Sequence, residues 1–273
     1  MRFLLTNDDG VDAPGLAVLA EVVRSFGEPV IVAPDVCHSA KSHAITMSGP
    51  LRVRRRKVAG VGESFACNGT PADCVRMAIN RLSLGAFDVV ISGINPGANC
   101  GVDVYYSGTV AAAREAALLG VPGIAVSQLV RFPDEPDWTA TRRRAEAALR
   151  FLLCDVGRLS PLVSVNLPSP RVGEEERGVR VCRLALDPWP MVFSPPAADE
   201  DSADFETSYA GRYLDRNATE GGDFHLVTSN HITITPLRLD ATDEHELERL
   251  RAARTRSAVA SPERVNPPLN REC

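Results

Sequence analysis

The chain has 273 residues, 44% hydrophobic and 24% charged, with a formal net charge of −5 and a pI near 5.6. That length fills one large core, or one core with a smaller appendage, and the composition is ordinary for a globular protein. The acidic balance argues against bulk attraction to nucleic acid or to an anionic membrane, so a bound anion must be held by local groups or by a metal.

In chain order, residues 3–6, 29–33, 88–92 and 123–127 are short, apolar, largely β-branched runs and predict buried strands. Residues 14–26, 71–84 and 109–119 lie between them and are long enough, and rich enough in Ala, Leu and Arg, for helices. Pro14 and Pro71 suit the first helical position, and Gly27, Gly85 and Gly120 fall where a C-terminal cap wants positive φ. Alternation of strand and helix means right-handed crossovers and a parallel sheet, so the fold class is α/β. Residues 139–153 predict a further helix and 162–166 a strand; the pattern then dissolves from 171 to 223, a stretch rich in Pro, Gly, Asp and Glu. So long an irregular stretch reads as a lid or as an arm packed on another subunit. Residues 231–236 return as a strand, 243–254 as a charged helix, and 258–273 as a frayed tail.

No basic n-region precedes the first strand, and no run approaches the ~20 apolar residues a membrane span needs, so neither a signal peptide nor a membrane segment is expected. The seven cysteines, at 37, 67, 74, 100, 154, 182 and 273, never form C-x-x-C, which disfavours structural zinc or a disulfide framework and fits the cytoplasm.

Five segments can carry chemistry. Asn7-Asp8-Asp9-Gly10 closes the first strand, where ligands collect in open α/β sheets. Adjacent carboxylates repel and lose solvation unless a hard divalent cation sits between them, although an Asp-Gly turn is the plainer reading. Asn95 and Asn99 lie in a glycine-rich loop after the third of these strands, offering neutral oxygens and approachable backbone amides. Ser107-Gly108-Thr109 opens a helix, as does Gly69-Thr70-Pro71; each is either a cap or a phosphate seat. Ser39 and His43 follow the second strand, where a serine can complete a metal shell and a histidine can meet a phosphate. The basic run Arg52–Lys57 reads as a solvated edge strand, too short for specific nucleic-acid binding.

Together these segments resemble the SurE family, the survival-protein nucleotidases. The similarity lies in Asn7-Asp8-Asp9-Gly10, Ala33-Pro34-Asp35 with Ser39, Gly69-Thr70-Pro71-Ala72-Asp73-Cys74-Val75, Ser92-Gly93-Ile94-Asn95 with Gly97 and Asn99, Ser107-Gly108-Thr109-Val110, and Ile232-Thr233-Ile234-Thr235-Pro236-Leu237, in order along nearly the whole chain. The resemblance implies a Rossmann-like core and one Mg²⁺ or Mn²⁺ per subunit on Asp8, Asp9, Ser39 and Asn95. It places Asn99, Ser107, Gly108 and Thr109 near the phosphate, with Asp8, Asp9, Asn99 and Ser107 catalytic. It also implies a homo-oligomer, dimer or tetramer, with residues 1–170 as core, 171–257 as arm, returning strand and helix used in oligomerisation, and 258–273 as tail. The arm departs from the family in lacking its usual Tyr-Trp stretch, offering Tyr209 and Tyr213.

The expected activity is metal-dependent hydrolysis of nucleoside 5′- or 3′-monophosphates. The alternatives are a phosphatase for a non-nucleotide phosphorylated intermediate and a non-catalytic nucleotide- or metal-binding regulator. A dinucleotide oxidoreductase is disfavoured, because the first strand-to-helix turn reads N-D-D-G and not G-x-G-x-x-G.

Overall fold

The computed structural model describes residues 1–131, 133–195 and 206–260, with backbone alone for 255–260. Two compact units divide it, one spanning Met1–Leu237 and the other beginning at Arg238.

The first unit is built on one sheet. In chain order its elements are β1 (Arg2–Thr6), α1 (Pro14–Val23), β2 (Glu28–Pro34), β3 (Val53–Val58), β4 (Gly62–Cys67), α2 (Pro71–Asn80), β5 (Val89–Pro96), α3 (Asp103–Tyr106), α4 (Gly108–Leu118), β6 (Gly123–Gln128), α5 (Trp138–Arg150), β7 (Leu162–Leu167), β8 (Val179–Val181), α6 (Asp223–Thr228) and β9 (Ile232–Pro236). The strands lie in the order β3-β4-β2-β1-β5-β6-β7-β9-β8, with β4 through β7 mutually parallel and β3 and β9 antiparallel to their inner neighbours. The expected α/β class and mostly parallel sheet are therefore present.

Period-two alternation assigns the two faces. Phe3 and Leu5 of β1 join Leu16 and Leu19 of α1 and Ala145 and Leu149 of α5 in one core, while Leu4 joins Cys74 and Val75 of α2 and Ala112 and Ala116 of α4 in another. Helices thus cover both faces. Alanine dominates the buried side of α4, letting it lie close on the sheet; at Gly123 a Cβ would meet Ala113 O at 2.0 Å. The strand order reverses between β1 and β5, and their carboxyl ends flank a crevice at this switch point.

Several boundaries differ from the sequence expectation. The first two long helices end at Val23 and Asn80, short of the glycines expected to cap them. Gly85 and Gly120 do have positive φ, but Gly27 does not: it is small because Met1 O would lie 2.0 Å from its Cβ. The helix expected at 139–153 starts at Trp138 and passes at Arg150 into a π turn, Phe151–Asp155. The basic run is indeed the edge strand β3, its Arg54, Arg55, Arg56 and Lys57 exposed. The stretch from 171 to 223 contains, among its described residues, β8, a single 3-10 turn, Tyr213–Asp215, two isolated bridges, and at its end the first residue of α6.

The second unit carries α7 (Glu244–Ala260), whose surface bears Glu246–Arg249 and Glu248–Arg251 ion pairs. Residues 261–273 of the expected tail lie outside the described residues. No helix among the described residues is long and apolar enough to cross a membrane.

Candidate active site

Immediately after β1 the chain turns on Asn7, not on its aspartates. Asn7 Nδ2 donates to Gly10 O (2.8 Å), and Gly10 N donates to Asn7 Oδ1 (3.2 Å). The asparagine therefore supplies the Asx hydrogen bonding of the turn and frees both following carboxylates. Asp8 is buried at the N-terminus of α4, where Thr109 Oγ1 donates to its Oδ1 at 2.5 Å. Gly108 makes room for it, since a Cβ there would sit 2.9 Å from Asp8 Cβ and Oδ2. Burial pushes the Asp8 carboxyl above the usual carboxylate range, against the opposing Thr109 hydrogen bond. Asp9 is pushed up to about 7, first by burial and second by the Asp8 charge beside it. Its Oδ2 is buried without a hydrogen-bond partner.

The β5 side completes the crevice. The β5–β6 register shifts between Ser92 and Asn95, and Gly93, with φ +139°, comes so near Val126 O that a Cβ would lie 2.2 Å away. Such a bulge re-aims the residues that follow it. Asn95 Nδ2 then donates to Gly97 O (2.6 Å), while Asn99 Nδ2 donates to Ser127 Oγ (2.7 Å). Ser107 caps α4 by accepting from Val110 N at 3.1 Å. Its hydroxyl hydrogen is not used by the cap.

Asp8, Asp9, Ser39, Asn95, Asn99 and Ser107 all line one cleft of about 370 Å³. The rest of its lining is largely apolar, with Ala98, Leu129, Val130, Trp189 and Tyr213, and includes Asp103. Thr109 is fully buried behind Asp8, and neither it nor Gly108 lines the cleft.

His43, Gly69 and Thr70 lie elsewhere. His43 Nε2 meets Glu115 Oε2 at 2.7 Å, and Arg76 Nε donates to the other oxygen of that buried carboxylate at 2.6 Å. Thr70 caps α2 in a capping box with Asp73 and donates to Ala44 O, while Thr46 donates to Asp73. Gly69 packs against Leu51 and Asp73. These residues moor the loop that carries Ser39.

A family model described as Survival protein SurE matches residues 3–190. The chain belongs to the SurE family. Among similar SurE proteins, the "5′-nucleotidase SurE" of Variovorax paradoxus is 38% identical over 90% of this chain and 95% of its own length. The protein of the same name from Clostridium botulinum is 38% identical over 91% of this chain and 97% of its own. The crystal structure of SurE protein from Aquifex aeolicus is 30% identical, with a TM-score of 0.77 over 93% of this chain and the whole of that one.

The donor set fits a hard divalent cation. No cluster of three His, Cys, Asp or Glu side chains forms among the described residues. Two carboxylates instead share the cleft with the neutral oxygens of Asn95 and Ser39. The unpartnered Asp9 oxygen and the upward shift of both acids are what a carboxylate pair shows before a cation neutralises it.

A second constellation had no signal in the sequence. Asp103, which opens α3, accepts from Arg216 Nη1 (3.0 and 2.9 Å), Trp189 Nε1 (2.5 Å), Tyr213 OH (2.7 Å) and Cys100 N (2.9 Å). The Arg216 side chain is fully buried, and its guanidinium lies 4.8 Å from the Phe224 ring centroid and 5.4 Å from that of Tyr213. Trp189, Tyr213 and Arg216 fall in the irregular stretch, 86, 110 and 113 residues from Asp103, beyond the reach of any spacing rule.

Proposed function

We propose that this SurE chain is a divalent-metal-dependent 5′-nucleotidase, hydrolysing nucleoside monophosphates to nucleoside and phosphate. The observation that carries this reading is an adjacent carboxylate pair, Asp8 buried and one Asp9 oxygen unpartnered, in a cleft whose remaining lining is largely apolar. The printed names of the similar proteins support the substrate class.

Asp8, Asp9, Asn95 and Ser39 would hold one Mg²⁺ or Mn²⁺, which when bound supplies charge neutralisation and Lewis acidity toward a phosphoryl oxygen. Ser107, whose O–H the cap does not use, and Asn99 both line the cleft, so both can stabilise charge on the phosphoryl oxygens. Asp8 orients the attacking water. The Thr109 hydrogen bond and the positive end of α4 stabilise its anion, which favours this role over direct attack on phosphorus. Hydrolysis in oxygen-18 water in a single turnover labels phosphate directly on the water route. A covalent route opened at phosphorus labels phosphate as well, so a search for aspartyl phosphate at Asp8, trapped by borohydride reduction to homoserine, separates the two.

The exposed apolar residues Met191, Phe193 and Tyr209 support residues 171–257 as an oligomerisation arm, dimer or tetramer, testable by light scattering. The six described cysteines are free, in keeping with a cytoplasmic enzyme. A nucleoside monophosphate panel with Mn²⁺, with and without EDTA, tests the activity. Turnover insensitive to EDTA, or none on any nucleotide, overturns it.

A further inference from the structure

We infer that Trp189 is the wall on which the substrate's leaving group stacks, so that the cleft selects phosphate esters of planar aromatic groups, nucleobases above all, over aliphatic esters. This rests on the phosphomonoesterase reading of the same cleft and adds the residue that sets its selectivity.

A phosphate needs only the polar residues of the cleft, yet Ala98, Leu129, Val130 and Trp189 line it too. Trp189 is 44% exposed, but its ring is not free to turn. Its Nε1 donates to Asp103 Oδ1 at 2.5 Å, and its ring stands edge-on to Tyr213, centroids 5.8 Å apart at 80°. Tyr213 is in turn edge-on to Phe224 at 5.6 Å, and Asp103 is fixed from behind by the fully buried Arg216. A tryptophan merely stranded at the surface has no buried ion pair holding it.

The indole's one polar atom is spent on Asp103, so what it offers the cleft is an apolar π face. A face already immobilised gains stacking energy without the cost of being ordered on binding. Asp103 and Arg216 are positioning residues here. Because Asp103 opens α3 and α3 ends at the Ser107 cap of α4, the wall and the phosphate end are joined by one short segment.

The test compares kcat/KM, with saturating Mn²⁺, for adenosine 5′-monophosphate and for glycerol 2-phosphate in the full chain, its Trp189→Leu variant and its Trp189→Phe variant. The ratio of nucleotide to glycerol ester is expected to fall about 10-fold or more in Trp189→Leu, carried mainly by KM, and to fall less in Trp189→Phe, which keeps an aromatic ring but loses the Asp103 tether. A ratio within about twofold of the parent in Trp189→Leu overturns the inference. So does a Trp189→Phe ratio as low as that of Trp189→Leu, since an aromatic ring would then contribute nothing beyond an aliphatic side chain. If the parent hydrolyses neither ester, it is the phosphomonoesterase reading that fails. The wall is then read from Trp189 fluorescence in a Trp138→Phe background: saturable quenching by adenosine monophosphate supports it, and none overturns it. The chain has only these two tryptophans.

Discussion

Replacing Thr109 by valine distinguishes a residue that holds Asp8 from one that touches phosphate. The side chain is fully buried, so valine keeps nearly the same volume and removes only the hydroxyl that reaches Asp8 Oδ1 at 2.5 Å. A hydrogen bond to a charged group contributes about 1.5–3 kcal/mol, equivalent to about 10- to 100-fold in an equilibrium constant. Loss of a residue that orients a metal ligand typically weakens metal binding over the same range. The Mn²⁺ midpoint for activity should therefore move about 10- to 100-fold higher in Thr109→Val, with kcat recovering at excess metal and Thr109→Ser restoring the parent midpoint. Titration calorimetry with Mn²⁺ alone, without substrate, should give the same displacement. A variant that binds Mn²⁺ at the parent midpoint but turns over slowly at every metal concentration would refute this reasoning and return Thr109 to the phosphate.

Three further outcomes follow from the geometry. Asp9 has a folded-state pKa of about 7, above the unfolded value near 3.8, so its ionisation opposes folding: its adverse effect is absent below about pH 4 and grows as pH rises toward 7. In EDTA the Tm of the parent should fall relative to Asp9→Asn across that window, and Mn²⁺ binding below pH 7 should release a proton, seen as a buffer-dependent enthalpy; equal pH profiles for the two proteins would contradict it. His43→Ala should loosen the Ser39 loop, speeding amide hydrogen exchange over residues 39–44 and raising KM by about 3- to 10-fold, as expected for a charge-assisted bond of order 1 kcal/mol. His43→Asn, which keeps a donor, should recover part of the loss, and unchanged exchange in the alanine variant would remove the mooring role. Arg216→Met leaves the Asp103 carboxylate buried without its counter-ion, so urea unfolding should show a loss of about 3–5 kcal/mol, with a loss below about 1 kcal/mol counting against the pair.

Much of the polar lining of the cleft was legible because its physics is local. Adjacent acids at a strand's end, paired asparagines after another strand and a Ser-Gly-Thr helix start each carry their reason in a few residues, and all reach the same switch point. The runs that became β1, β2, β5, β6, β7 and β9 were apolar enough to be found. β4 was not: Gly62-Glu63-Ser64-Phe65-Ala66-Cys67 has little strand character and is made a strand by β2 and β3 on either side. β8, of three residues, exists only through its pairing with β9. Helix-start signals were ambiguous for the same reason they were visible. Thr70 and Thr109 both open helices, but one ties down a loop and the other grips Asp8, and only the tertiary partner separates those uses. The Asp103–Arg216 hub was invisible because 113 residues separate its two charges.

Helix α4 has two dependants. Its first turn clamps Asp8, and Glu115 further along it tethers the segment bearing Ser39. Two corners of the hydrolytic chamber thus stand on a common foundation, and a tilt of that rod displaces them in concert. The aromatic partition hangs from Asp103 at the head of α3, which runs straight into the Ser107 cap of the same rod. A substitution that shifts this rod is therefore felt at the roots of the polar residues and of the aromatic wall alike.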